Sequence, residues 1–182
     1  DSKLELLPRD AVSPELVGGP EGEKLLNGIY DAFQNGNLGS GYAYLSYVTE
    51  DLSADNLKYR ATFFQHGEVD NNAILLENVL VSRYFNFPYV AIQRANDLIE
   101  IVNNAAGIDE ASKTKLLGTA YFFRAYGYYR LVTIFGAVPI VPNRDIVELP
   151  RNSVDEVYAQ IISDLEASIA KPAPFSNSNY VS

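Results

Sequence analysis

The chain has 182 residues, 14 Lys and Arg against 23 Asp and Glu, a net charge of -9 and 47% hydrophobic residues. This length and composition predict one globular domain with a substantial core and exclude a disordered tail. The acidic balance and scattered basic residues argue against a nucleic-acid partner, because a phosphate-binding surface needs clustered Lys and Arg. The lack of Cys excludes disulfides, thiolate metal sites and a cysteine nucleophile.

The chain begins at Asp1 and contains no Met. Because translation starts with Met, we expect either a mature secreted form or a segment cut from a longer protein. No apolar run approaches the roughly 18 residues needed to cross a bilayer. Any membrane attachment is therefore expected outside the sequence given.

The first half of the chain predicts two helices and a long loop. Residues 1–20 contain three Pro and a Gly pair without sustained periodicity, which predicts an extended lead-in to a domain over 21–182. Apolar residues at helical spacing predict a helix from Glu21 to about Asn35 and another from about Tyr44 to Leu52. The periodicity then fails, so we expect a long ordered loop over Ser53–Asn72.

Three further helical segments follow. Ala73–Ala105 is periodic but contains Pro88, which predicts a kink or a boundary between two helices. Asp109 is a good N-cap for a helix ending near Phe135. The aromatic residues of this helix fall on nearly every side, which indicates a central position in the fold.

The last predicted helix begins with a capping box. Ser153 and Glu156 have the Ser-x-x-Glu spacing, and Lys171-Pro172 ends the helix. Before it, the Pro-rich residues 136–152 predict an extended connection. Five or six helices without a convincing hairpin place the chain in the all-α class, with long ordered loops.

Arg124 is a charge in the middle of the most apolar helix. Because arginine does not lose its proton, a buried Arg124 requires a carboxylate partner. Asp97 and Glu50 are the candidates, and an ion pair between helices is favoured over a contact with substrate.

Catalytic and metal-binding motifs are weak in this sequence. His66 is the single histidine, and a surface or ligand-contacting role is favoured over catalysis. The acidic clusters around Glu50 and Glu68 could hold Ca²⁺, but without the EF-hand spacing a solvated acidic surface is favoured. Phosphate-binding glycine loops and the nucleophile elbow are absent, and no spacing selects a catalytic carboxylate pair. We expect no catalytic residue and no cofactor.

The aromatic segment, defined here as Tyr59–Gly67, is the feature most suggestive of function. It mixes flat apolar rings with amides and charges, as sugar-binding surfaces do. The alternative is that Phe63 and Phe64 only pack the loop onto the core. The predicted glycan-binding residues are Asn56, Tyr59, Phe63, Phe64 and His66.

Four segments, in order, resemble the SusD/RagB family of bacterial outer-membrane nutrient-binding lipoproteins. Residues 117–141, LGTAYFFRAYGYYRLVTIFGAVPIV, are similar to the family pattern A-x-x-LRA-x-x-Y-x-x-L-x-x-x-(F/Y)G-x-(V/I)P. Residues 50–56 (EDLSADN), 89–99 (YVAIQRANDLI) and 151–165 (RNSVDEVYAQIISDL) resemble segments that flank it in the family. The resemblance spans roughly Leu4 to Ala170, which is the N-terminal part of the family's usual length.

This resemblance implies a tetratricopeptide-like helical bundle or solenoid. It implies a non-enzymatic, surface-exposed lipoprotein that captures glycans, or peptides in some relatives. It further implies delivery to a partner TonB-dependent outer-membrane transporter and a lipid anchor on a Cys outside the sequence given. The resemblance also places the five predicted site residues near the region where such proteins hold sugar. The expectation that Asp1 follows an anchoring Cys and that Ser182 precedes further helices rests on the same resemblance.

Two other functions are kept as alternatives. The helices could serve mainly to dock on the transporter, with little contribution to ligand capture. A glycoside hydrolase or lyase would need a carboxylate pair that the sequence does not identify.

Overall fold

The computed structural model describes residues 17–34, 41–60, 62–142 and 148–171. Over these residues the chain forms helices and connections without a β-strand, which confirms the all-α class. The helices are α1 (Gly19–Gln34), α2 (Tyr42–Ser53), α3 (Phe64–Asp70), α4 (Val79–Asn104), α5 (Glu110–Phe135) and α6 (Val154–Ile169).

The long helices α4 and α5 form the centre of the fold. α5 packs against α1, α4 and α6, while α4 also packs against α2. Small residues allow the close approach: a Cβ on Gly127 of α5 would come within 2.8 Å of the Ile92 side chain on α4. The predicted central position of the helix before Phe135 is therefore confirmed.

Side-chain caps fix the starts of both later helices. The Asp109 carboxylate accepts a hydrogen bond from the Ser112 amide at 2.9 Å and begins α5. At α6 the Ser153 amide donates to the Glu156 carboxylate at 2.7 Å, and the Ser153 hydroxyl accepts from the Glu156 amide at 3.3 Å. Such caps satisfy amides that have no partner within the helix, so both predicted starts are confirmed.

The structure differs from the sequence predictions in the middle of the chain. The segment Ser53–Asn72 contains the seven-residue helix α3, which buries Gly67 and Val69 only and is too short to show periodicity. Pro88 lies inside the continuous helix α4, so the predicted boundary is wrong, and the alternative of a kink stays a prediction. Pro88 is buried, so packing against the neighbouring helices outweighs the lost backbone hydrogen bond.

The predicted lead-in lies mostly outside the described residues, as does the loop over 173–182. Val17, which precedes α1, is buried in the same core cluster as Leu26 and Ile29 of α1. α1 itself starts at Gly19, two residues before the predicted start, with Pro20 in its first turn. Proline suits that position because the first-turn amides have no partner within the helix.

Candidate functional site

The C-terminal part of the aromatic segment forms the first turn of α3. α3 begins after Phe63 and lies against α2. Val69 on α3 and Val48 and Leu52 on α2 form a small buried cluster between the two helices. This cluster holds the aromatic segment in place through α3.

Phe63 and His66 form the centre of the candidate site, and Tyr44 lies beside His66. The Phe63 and His66 rings lie edge to face, with centroids 5.3 Å apart. The Tyr44 hydroxyl and His66 Nε2 are 3.2 Å apart, within hydrogen-bonding distance. Partial burial lowers the pKa of His66, which favours the neutral ring at neutral pH. A neutral imidazole and a phenol can each donate to or accept from a sugar hydroxyl.

Tyr44 belongs to the candidate site but was not among the predicted site residues, which all lie between Asn56 and His66. In the structure Tyr44 is half-exposed, and Tyr47, one turn further along α2, is 60% exposed. Residues three apart in a helix are neighbours on its surface. The spacing of two Tyr residues at i and i+3 was the signal that could have found this part of the site.

Tyr59 has a supporting position. A Cβ on Gly67 would come within 2.7 Å of Cε2 of the Tyr59 ring, so the ring lies directly on the α3 backbone. Glycine at this position makes the close approach possible. Tyr59 therefore holds α3 from one side while its remaining edge is accessible to solvent.

The other two predicted residues are exposed but do not join this contact group. Phe64 is 70% exposed. The Asn56 amide nitrogen Nδ2 donates to Asp51 Oδ1 at 3.2 Å, just after the end of α2. Within the described residues, no hydrogen bond or ring contact joins Asn56 or Phe64 to Tyr44, Phe63 or His66. Of the five predicted residues, the structure thus brings Phe63 and His66 into contact, while Tyr59 lies on the neighbouring Gly67 backbone.

A polar network joins α2 to α4 and α5. Arg130 of α5 donates to the Tyr42 hydroxyl at 2.5 Å, to Ser46 Oγ at 3.0 Å and to the Glu50 carboxylate. Tyr84 of α4 also donates to Glu50. Partial burial of Glu50 opposes its ionisation, but the hydrogen bonds from Tyr84 and Ser46 and the charge of Arg130 outweigh it and lower the pKa. Glu50, predicted as a partner of Arg124, is therefore the partner of Arg130.

Arg124 is paired with Asp164, which corrects the predicted partners Asp97 and Glu50. Arg124 Nε and Nη2 donate to the two Asp164 oxygens at 2.8 and 2.6 Å. Arg124 Nη1 also donates to the Asn96 side chain at 2.8 Å. Burial disfavours the charge on Arg124, but the hydrogen bonds and charge of Asp164 outweigh it and raise the pKa. The expected ion pair between helices is present, and it joins α5 to α6.

The described part of the chain shows no metal-site geometry. Its described residues contain no group of three or more His, Cys, Asp or Glu side chains positioned to hold an ion. Asp51 is instead engaged by Asn56, and Glu68 accepts from the Asn78 amide at 2.7 Å. Nor is any described helix long and apolar enough to cross a membrane.

The described residues form an all-helical fold with exposed aromatic side chains beside α3. Residues 21–174 match the model of the SusD-like family described as "starch-binding associating with outer membrane". The chain belongs to this family, which confirms the resemblance found in the four sequence segments.

Known SusD-like proteins are similar to this chain in sequence and in structure. SusD-like protein P2 from Formosa agariphila is 33% identical over 106 residues, covering 54% of this chain and 20% of its own. A SusD superfamily protein from Bacteroides vulgatus matches the structure with a TM-score of 0.74 at 17% identity, covering 87% of this chain and 36% of its own. Surface glycan-binding protein A from Bacteroides uniformis gives 0.73 at 24% identity, covering 88% of this chain and 36% of its own.

The two structures share the all-helical fold of the described residues. The chain spans about a fifth of the length of the Formosa relative and just over a third of each solved structure. The match therefore concerns one portion of those longer proteins.

Proposed function

We propose that this chain is part of a cell-surface glycan-binding protein that captures an oligosaccharide or polysaccharide without cleaving it. The observation that carries the proposal is the pair of exposed rings, Phe63 and Tyr44, on either side of the partly buried His66, which offers flat rings beside neutral hydrogen-bonding groups. Sugar rings bind such surfaces by placing C–H faces on aromatic rings and hydroxyls on polar side chains. Membership of a family described as starch-binding supports the same ligand class.

The binding surface in this proposal consists of two kinds of residue. Phe63, His66 and Tyr44 contact the glycan, and Tyr59 holds the α3 backbone in position. Asn56 and Phe64 remain part of the proposed surface as exposed residues at its edges.

The proposal extends to location and partner. We propose an outer-membrane lipoprotein that delivers its glycan to a TonB-dependent transporter, with the lipid anchor outside the sequence given. The support is the family description, which associates such proteins with the outer membrane.

We expect Phe63→Ala to weaken glycan binding by roughly tenfold, because one ring face is worth about 1 kcal/mol or slightly more. Phe63 is 57% exposed, so its removal leaves the core intact. The measurement is isothermal titration of the protein with a glycan first identified on an array. Phe122→Ala provides a matched control on α5, since this ring is also about half-exposed. Equal weakening by both variants, or none by Phe63→Ala, would reject this site.

The second candidate is a domain that serves mainly to dock on the transporter. It is favoured by one observation: α6 carries a row of half-exposed or exposed apolar side chains at helical spacing. These are Val154, Tyr158, Ile162, Leu165 and Ile169. If transporter pull-down depends on this row while variants of the aromatic segment leave glycan affinity unchanged, docking is the better description.

A further inference from the structure

A groove separate from the aromatic segment runs between α2, α4 and the end of α5. Two adjoining cavities of about 440 and 500 Å³ share the walls Ile74, Val81 and Phe135. We call this surface the Ile74 groove. None of the five predicted glycan-binding residues lines it. Its size lies within the range of clefts that hold small ligands or short peptide segments.

The exposed wall of the Ile74 groove is aliphatic. Ile74 and Leu75 are half-exposed or more, and Leu76 is fully exposed. A run of adjacent exposed aliphatic side chains is uncommon on a soluble surface and marks a site of interaction. These branched side chains have no flat face for a sugar ring, whereas they match the aliphatic side chains of a polypeptide.

The two cavities of the groove carry opposite charges, and the cavity that each charge lines is called its end of the groove. Glu50 lines one cavity together with the hydroxyl residues Thr49 and Ser53. Its Oε1 accepts hydrogen bonds from Ser46, Tyr84 and Arg130, while Oε2 accepts none from a described residue. This end therefore offers an acceptor for a backbone N–H.

Arg151 lines the other cavity, as do Asn78 and Ser82. It is exposed and forms no ion pair with a described residue. The planar guanidinium group has the donor geometry that fits a carboxylate with two parallel hydrogen bonds. An apolar groove ending in such a cation fits a chain that is aliphatic and terminates in a carboxylate.

We propose that the Ile74 groove is a docking site for the aliphatic C-terminal segment of a partner polypeptide. The terminal carboxylate pairs with Arg151, aliphatic side chains lie on Ile74 and Phe135, and a backbone N–H donates toward Glu50. Capture of a C-terminal carboxylate is a known mode of peptide recognition. This site is additional to the proposed glycan surface and uses different residues.

The first test separates the carboxylate from the apolar contacts. The probe is an N-acetylated peptide Ser-Val-Leu-Leu-Val with a free carboxylate, compared with the same peptide amidated at its C-terminus. Binding is measured by titration of the isotope-labelled protein followed by NMR. We expect amidation to weaken binding to the wild type roughly fivefold, as for one exposed charge pair. Arg151→Gln should weaken the free acid by the same factor and leave the amide unchanged.

The second test addresses the aliphatic wall. Ile74→Ser should weaken both peptides by roughly tenfold, because burial of one such side chain contributes more than 1 kcal/mol. Val90→Ser on α4 is the matched control, since Val90 is also an exposed aliphatic residue and lines neither cavity. Lack of saturable peptide binding, equal effects of the two serine variants, or equal weakening of acid and amide by Arg151→Gln would each overturn the proposal. Glycan titration of the same variants should be unchanged, so the two proposals fail independently.

Discussion

Replacing Arg124 with leucine is expected to lower the free energy of unfolding by about 3–5 kcal/mol. The reason is the state of its partner: the Asp164 side chain is 2% exposed and receives two of its hydrogen bonds from the Arg124 guanidinium. Removing the cation leaves a buried carboxylate for which, among the described residues, the Gln160 amide is the one further side-chain donor, at 3.0 Å. Urea unfolding at neutral pH, followed by circular dichroism, measures the loss.

The matching double variant, Arg124→Leu with Asp164→Leu, should recover most of this loss. A buried ion pair contributes little beyond what apolar side chains of similar volume provide, because desolvation offsets the attraction. If the double variant is as unstable as the single one, the packing of α5 on α6 depends on the arginine itself.

The same single variant tests function. Where Arg124→Leu still folds, we expect unchanged glycan affinity, because its guanidinium is bound to Asp164 and Asn96 between helices. Abolished binding in a folded protein would instead assign Arg124 to the ligand site.

Local chemistry explains why the helix starts could be predicted. The Asp109 cap and the Ser153–Glu156 capping box act over three residues, so the sequence contains all the groups involved. The helical class of the described residues followed similarly from the apolar periodicity. These are the parts of the fold in which neighbours in sequence are also neighbours in space.

Non-local pairing explains what could not be predicted. Arg124 required a carboxylate, but the choice of Asp164 over Asp97 and Glu50 depends on how α6 lies on α5. Likewise, α3 is held by Val69 against α2 rather than by its own seven-residue pattern. The sequence pattern thus showed that Arg124 needs a carboxylate, and the packing of α6 on α5 determines which carboxylate it is.

The candidate site was predictable to a similar extent. The composition of the aromatic segment indicated Phe63 and His66, which the structure places in ring contact. Tyr44 comes from a different helix, 22 residues earlier, so only tertiary packing brings it to His66.

Replacing Arg130 with methionine is the second change with a large expected effect. It should lower the free energy of unfolding by about 2–3 kcal/mol. The Arg130 side chain is 18% exposed and donates to the hydroxyls of the buried residues Tyr42 and Tyr84. Without it, these hydroxyls and Glu50 lose a charged donor, and a buried polar group without its partner costs about 1–3 kcal/mol. Glu50→Gln should lower the free energy of unfolding by less, about 1 kcal/mol. The Glu50 side chain is half-exposed, and the glutamine side-chain oxygen can still accept a hydrogen bond from Tyr84.

The Arg130→Met effect should also depend on pH in a defined direction. The folded-state pKa of Glu50 is lowered from 4.5, so its contribution to stability is present above that value and is lost as pH falls through the folded-state pKa. The difference in unfolding free energy between wild type and Arg130→Met should therefore be constant near neutral pH and shrink below about pH 4.5. Glu50→Gln removes the titrating group, so in that background the effect of Arg130→Met should lose this pH dependence. A difference that persists unchanged at low pH would show that Arg130 stabilises the fold through the tyrosine hydroxyls alone.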